Sequence, residues 1–236
     1  MSELKNIFDK MNIQLSESAE KQLDRYYEML VETNKVMNLT AITDYEDVVI
    51  KHFADSAAIG CVTDMNKKMS VIDVGTGAGF PGIVLKIVYP QLSVVLLDSL
   101  NKRVNFLKEV IAELNLSDIS AVHGRAEDIA RDKAYREQFD LCVSRAVANM
   151  SSLSEYCLPF VKTGGRFIPY KADGCDEEVK SAAKAVNTLG GKIEKIDSYV
   201  IPKTDICRKF IIVNKIRSTS NKYPRKAGLP TKEPLV

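Results

Sequence analysis

The stretch Val71 to Gly82, VIDVGTGAGFPG, constrains the fold more than any other part of the chain. A run of β-prone residues leads straight into Gly75, Gly77 and Gly79, and a helix can begin at Pro81, where no backbone N–H is needed. A strand that stops in a glycine-rich turn and restarts as a helix brings bare backbone N–H groups up to a ligand. The spacing fits two classes. Gly77, Gly79 and Gly82 satisfy the dinucleotide pattern G-x-G-x-x-G, while Gly75, Gly77 and Gly79 satisfy the G-x-G-x-G of S-adenosylmethionine (AdoMet) enzymes. A second buried-strand run, Ser93 to Leu97, ends at Asp98, where a carboxylate can accept both ribose hydroxyls of an adenosine.

The alternation that follows chooses between them. Strands are expected at Val71 to Val74, Val94 to Leu97, Ile119 to His123, Phe139 to Ser144 and Arg166 to Pro169. Helices are expected at Pro81 to Val88, Lys102 to Leu114, Ala126 to Lys133, Ser151 to Val161 and Glu177 to Leu189. This rhythm implies a parallel sheet covered by helices on both faces. It breaks at the end, because Lys192 to Val200 and Lys209 to Lys215 are joined by a short loop with Pro202. No helix fits between them, so one strand must run antiparallel. The expected fold class is α/β, a class I AdoMet-dependent methyltransferase: a Rossmann-like seven-stranded sheet closed by a C-terminal antiparallel hairpin, with an N-terminal helical extension. A nicotinamide enzyme would continue with another βαβ repeat instead.

The expected organisation is a helical extension over 1–68, a cofactor-binding domain over 69–217 and a basic tail over 218–236. In the extension Ser16 can cap a helix with Leu23, Tyr26, Tyr27, Leu30 and Val31 on one stripe, and a second helix runs from Asp44 or Tyr45 to Ile59, closed by Gly60. No apolar run reaches eighteen residues, so no membrane span is expected. Five cysteines without a C-x-x-C pair point to a reduced, cytoplasmic chain, and two histidines leave little material for a metal site. The net charge of +2 hides an asymmetry. Nine Lys/Arg against Asp205 and Glu233 fall after residue 200, whereas residues 1–200 hold 24 basic and 29 acidic groups. Basic charge gathered at one end suggests a polyanionic partner.

Several separate motifs carry a resemblance that covers nearly the whole chain. They are NKVMNLTAI (Asn34 to Ile42), HFADS (His52 to Ser56), VGTGAGFPG, LLDSLNKRVNFL, GRAED (Gly124 to Asp128), SRAVA (Ser144 to Ala148) and KYPRKAGLPTKEPL (Lys222 to Leu235). In these the chain resembles the ribosomal RNA small subunit methyltransferase G family, also called glucose-inhibited division protein B. The family usually carries Trp before the first Asn, where Thr33 stands here. The resemblance implies an enzyme that uses AdoMet to methylate a guanine N7 in the decoding-region loop of 16S rRNA, with the small ribosomal subunit as partner; the chain is expected to be a monomer. It places cofactor contacts on Gly75, Phe80, Ala126, Glu127 and Arg145. The glycine turn adds Gly77 and Gly79, and the ribose argument adds Asp98.

The chemistry implied asks little of acid–base groups. Guanine N7 has a free lone pair and loses no proton, so alignment and desolvation suffice, and no catalytic residue and no metal is expected. Phe80 can either cover the cofactor or pack under the first helix. Arg145 can hold a carboxylate or meet phosphate. His52, Asp55 and Ser56 lie at helical steps three and four, a spacing that suggests packing or a local hydrogen bond and not a triad. RNA contacts are expected from Lys171, Arg208, Lys209, Arg225 and Lys226, with Tyr170 and Tyr223 as stacking candidates. The Pro-containing basic tail reads as flexible until it docks, so ending the chain after Arg217 should spare AdoMet binding. Two other readings stay open: a methyltransferase of a small molecule, and a non-catalytic RNA-binding protein with a retained cofactor pocket.

Overall fold

The computed structural model describes residues 2–145 and 147–235; Met1, Val236 and the Ala146 of the SRAVA motif lie outside the described residues. Helix α1 (Glu3–Lys10) is capped by Ser2, and α2 (Glu17–Met37) begins at Ser16, whose Oγ accepts the Ala19 N–H at 3.1 Å. Leu23, Tyr26 and Leu30 are buried along α2, while Tyr27 and Val31 are half-buried, so the apolar stripe is narrower than expected. The second helical run begins at α3 (Tyr45–Val48), capped by Asp44. It continues through a π turn at Val49–Ala54, α4 (Asp55–Ala57) and a 3-10 turn at Ala58–Cys61. Gly60 sits inside that last turn rather than after it, and the Tyr89 ring occupies the space a Cβ there would need.

The alternating part follows in the order β1 (Ser70–Val74), α5 (Gly82–Val88), β2 (Ser93–Asp98), α6 (Asn101–Glu113), β3 (Ile119–His123), α7 (Ala126–Ile129), β4 (Phe139–Arg145), α8 (Met150–Cys157), β5 (Val161–Ala172), α9 (Asp176–Ser181), α10 (Ala183–Thr188), β6 (Gly191–Val200) and β7 (Cys207–Lys215). The seven strands lie in the order β3-β2-β1-β4-β5-β7-β6. The first five pair in parallel, and β7 runs antiparallel to both β5 and β6. The expected hairpin therefore stands, with its second strand inserted against β5. Strand β5 is much longer than the expected Arg166 to Pro169, because Gly164 and Gly165 carry it through a bulge where the sequence reads as a loop. The single helix expected at 177–189 is two helices that break at Ala182.

Alternation along the strands divides the core in two. Val71, Leu141, Val143, Ile168, Tyr170, Phe210 and Ile212 join a cluster that includes Leu4, Phe8, Leu23, Tyr26 and Phe53 from the N-terminal helices. Ile72, Cys142, Phe167, Ile211 and Val213 face the other way, against α8, α9 and α10. The extension thus shares a core with the sheet. Its most specific contact is the buried Tyr26 hydroxyl, which donates to the Ala78 carbonyl in the glycine turn at 2.5 Å.

The basic tail is packed, which corrects the expectation of a flexible segment. Arg136 donates to the carbonyls of Thr219 and Tyr223, and Arg131 to that of Pro224. A short helix, α11 (Leu229–Lys232), follows Gly228 and places Pro230 in the interior against α8, where its carbonyl accepts from Ser152 Oγ at 2.7 Å. Composition misleads here because apolar Pro224 and Pro230 anchor the segment while its charges face out or find carboxylates.

Candidate active site

Strand order reverses between β2-β1 and β4, and a crevice opens there beyond the C-terminal ends of the strands. A cavity of about 260 Å³ occupies it, just below the usual range for small-ligand pockets. Its floor is Val74 and Gly75 at the end of β1. One wall is Leu97, Asp98 and Ser99 after β2, and another is Gly124 to Glu127 after β3. Val147, Tyr156, Gly228 and Thr231 close the remaining side.

The glycine turn is shaped for close approach. Gly75 (φ +72°) leaves no room for a side chain, since a Cβ would come within 2.5 Å of Val147 Cγ2. Gly77 (φ +63°) faces open space, and its N–H donates to Asp98 Oδ2 at 2.9 Å. Asp98 Oδ1 accepts from Leu100 N–H at 2.9 Å, so the carboxylate is fixed while each oxygen keeps acceptor capacity. Glu127, likewise buried, accepts the Gly228 N–H on Oε1 at 2.8 Å. Two buried carboxylates and a bare turn on one cavity make a site for a ligand with several donor groups.

Behind the turn lies Asp73, in strand β1 and fully buried. Its Oδ2 accepts from Thr76 Oγ1 at 2.6 Å and Gly82 N–H at 2.8 Å, while no partner is found for Oδ1 among the described residues. Burial pushes its carboxyl up to about 6. Sequence reasoning passed over it, although an acid inside an apolar strand just before a glycine turn is itself a signal.

A second constellation lies where the extension meets β4 and β7. The Asp55 carboxylate, 1% exposed, holds Arg145 Nη1 and Arg208 Nε, each at 2.6 Å. Arg145 also lies 5.2 Å over the Phe80 ring, and the His52 imidazole stacks on the same ring at 4.5 Å. His52 Nε2 meets Thr40 Oγ1 at 2.8 Å. Burial, and then the Arg145 charge, hold the His52 pKa down at about 4. His52 and Asp55 share a helical face, as their spacing suggested. Their partners, however, come from strands far along the sequence, which no local pattern reveals.

A family model described as GidB, rRNA small subunit methyltransferase G, matches residues 19–207. The chain belongs to that family. Relatives named ribosomal RNA small subunit methyltransferase G include that of Acetivibrio thermocellus, 52% identical over 220 residues (92% of this chain, 90% of its own). That of Lachnoclostridium phytofermentans is 50% identical over 226 residues (96% and 93%). Among solved structures, a SAM dependent methyltransferase from Aquifex aeolicus superposes with a TM-score of 0.53 at 18% identity, covering 72% of this chain and 93% of that one. TrmN from Thermus thermophilus gives 0.53 at 16% identity, where the match covers 71% of this chain and 53% of that one. At such identities the likeness shows the fold, which is that of class I AdoMet-dependent methyltransferases.

The expected site residues divide between the two constellations. Gly75, Asp98, Ala126 and Glu127 line the cavity, and Gly77 is tied to it through Asp98. Gly79 faces Ile83 and Tyr26 instead. Phe80 and Arg145 do not line the cavity; Phe80 packs beneath the N-terminal helices, and Arg145 is drawn to Asp55. Tyr170 is no stacking platform, since it is buried and its hydroxyl donates to the Ser56 carbonyl at 2.7 Å. Tyr223 packs against the core on the other face. Of the five basic residues expected to meet RNA, Lys171 bonds Glu178, Lys209 reaches Asp173 and Asp176, Arg208 holds Asp55, and Arg225 holds Glu155. Lys226 alone is exposed. Tyr156, Gly228 and Thr231 line the cavity without having been anticipated.

Proposed function

We propose that the protein transfers the methyl group of AdoMet to N7 of one guanine in the decoding-region loop of 16S rRNA. The observation that carries the reading is the meeting of Gly75, Asp98 and Glu127 on one cavity at the sheet's reversal point, in a chain of this family. The residues present suit the cofactor. Asp98 offers a fixed carboxylate to ribose hydroxyls, Glu127 keeps one oxygen for the adenine amino edge, and the open space beside Gly77 suits the amino-acid end. When bound, AdoMet supplies a sulfonium methyl that a neutral ring nitrogen can attack.

The chain's own contribution is positional. Guanine N7 gives up no proton, and the titratable groups nearby are engaged structurally: His52 is held neutral, and Asp73 supports the turn. Arg145 and Arg208 share one carboxylate, which leaves a net positive charge and unused guanidinium N–H groups for RNA phosphate. Lys226 is exposed, whereas Lys171 and Lys209 are already paired with carboxylates. The same reading takes the protein as a monomer with a helical extension over 1–68, a cofactor domain over 69–217 and a C-terminal segment over 218–236. All five cysteines are free thiols, which supports a reducing cytoplasmic setting. Among the described residues no helix is long and apolar enough to cross a membrane.

The test is transfer of labelled methyl from AdoMet to small subunits from cells lacking the gene, with the modified position mapped by borohydride–aniline cleavage. One cleavable guanine in 16S rRNA is the expected result. Transfer to neither subunits nor stripped RNA, despite AdoMet binding, would move the reading to a small-molecule acceptor or to RNA binding without catalysis.

A further inference from the structure

Glu155 in α8 is completely buried, and its counter-ion comes from residue 225. Arg225 Nε approaches both carboxylate oxygens at 3.0 and 3.1 Å, Nη2 donates at 2.7 Å, and the Arg225 backbone N–H adds a bond at 2.7 Å. The same guanidinium donates to the Glu233 carbonyl at 2.7 Å, which closes the segment into a loop. A buried ion pair contributes little net stability, because desolvation cancels much of the attraction; its attested use is to fix geometry. What it fixes here is the far wall of the cavity. Gly228 donates to Glu127 Oε1 at 2.8 Å, and Thr231 Oγ1 meets the Tyr156 hydroxyl at 2.6 Å. Gly228, Thr231 and Tyr156 all line the same cavity as Asp98.

We propose that residues 225–231 form part of the cofactor site, resting on the AdoMet reading above. Gly228 and Thr231 supply a wall against the adenosine. The Gly228 N–H takes one Glu127 oxygen and so presents the other to the ligand. Arg225 is a positioning residue that seats this wall by holding Glu155. On this view Arg225 does not contact RNA, and removal of the tail disables cofactor binding instead of sparing it.

The test uses the full-length chain. Amide hydrogen exchange with and without saturating AdoMet is expected to slow at residues 226–229 and 231–232 as well as in the glycine turn. Arg225→Lys keeps the charge but loses the bidentate geometry. It is expected to raise the AdoMet Kd by calorimetry at least tenfold and to raise the KM for AdoMet, leaving the KM for the RNA acceptor unchanged. Thr231→Trp, a surface-accessible change that fills the cavity without touching the ion pair, is expected to weaken AdoMet similarly with the melting temperature preserved. Exchange protection confined to residues 75–99 and 124–127 would overturn the proposal. So would a lower melting temperature with an unaltered AdoMet Kd in both variants, or a change in acceptor KM alone. Absence of AdoMet binding or protection anywhere would overturn the cofactor reading itself, and this proposal with it.

Discussion

At the scale of single residues, Asp73 and His52 pull in opposite directions as the solution is acidified. The Asp73 carboxyl titrates near 6 in the fold against an ordinary value of 3.8. Between those values the folded chain binds a proton that the unfolded chain does not, so this group favours the fold increasingly as pH falls, by about 3 kcal/mol in full. His52 titrates near 4 in the fold against 6.5, so the unfolded chain takes the proton first, and stability is lost as pH falls from 6.5 towards 4. The two windows overlap. We expect Asp73→Asn to lose stability more steeply than the wild type between pH 7 and pH 5 in urea unfolding, and His52→Gln to gain. Parallel pH profiles in all three proteins would show that neither group has the stated pKa. Residues of this kind are hard to find in a sequence. Asp73 sits in a legible motif, but what shifts it is burial by neighbours; His52 is shifted by burial and by Arg145, ninety-three positions away.

Elements were far more legible than residues. Runs of β-prone residues, glycine and proline breaks and the Ser16 cap placed nearly every strand and helix, since those signals act within a few positions of themselves. The glycine turn located the cavity, and the acid at the end of β2 located one wall. Three things were not legible. The Gly164-Gly165 bulge looks like a loop, the tail looks disordered by composition, and the Asp55 cluster joins elements that only the folded sheet brings together. The contact between α2 and the glycine turn belongs to the same class. Tyr26 gives the Ala78 carbonyl its buried donor, so Tyr26→Phe should destabilise the fold by about 1–3 kcal/mol and loosen the turn. Urea unfolding and hydrogen exchange at residues 77–80 would measure both; unaltered stability and exchange would mean that the hydroxyl does not brace the turn.

For the whole molecule, formal charge overstates what is free to meet a polyanion. Of the nine basic residues after position 200, Lys203, Arg208, Lys209, Lys215 and Arg225 lie in ion pairs, and Arg217 is hydrogen-bonded to Asn187. Lys222, Lys226 and Lys232 are exposed. Replacing Lys222 and Lys232, which lie outside the 225–231 wall, with alanine should lower the slope of log K against log salt for RNA binding by about 0.7–0.9 for each phosphate no longer neutralised, with AdoMet affinity retained. A slope equal to that of the wild type would place the RNA elsewhere on the surface.

The pairing of Glu155 with Arg225 also bears on how the chain is made. Synthesis is vectorial, and the N-terminal part of a domain emerges and begins to fold first. Helix α8 is therefore complete, with Glu155 in place, some seventy residues before its counter-ion is available. Until then the carboxylate must stay hydrated or be buried alone at a cost of several kcal/mol. An interrupted chain that stops short of Arg225 consequently differs from the finished protein by more than its missing length. It lacks the counter-ion for Glu155, so α8 cannot bury that face as the finished protein does.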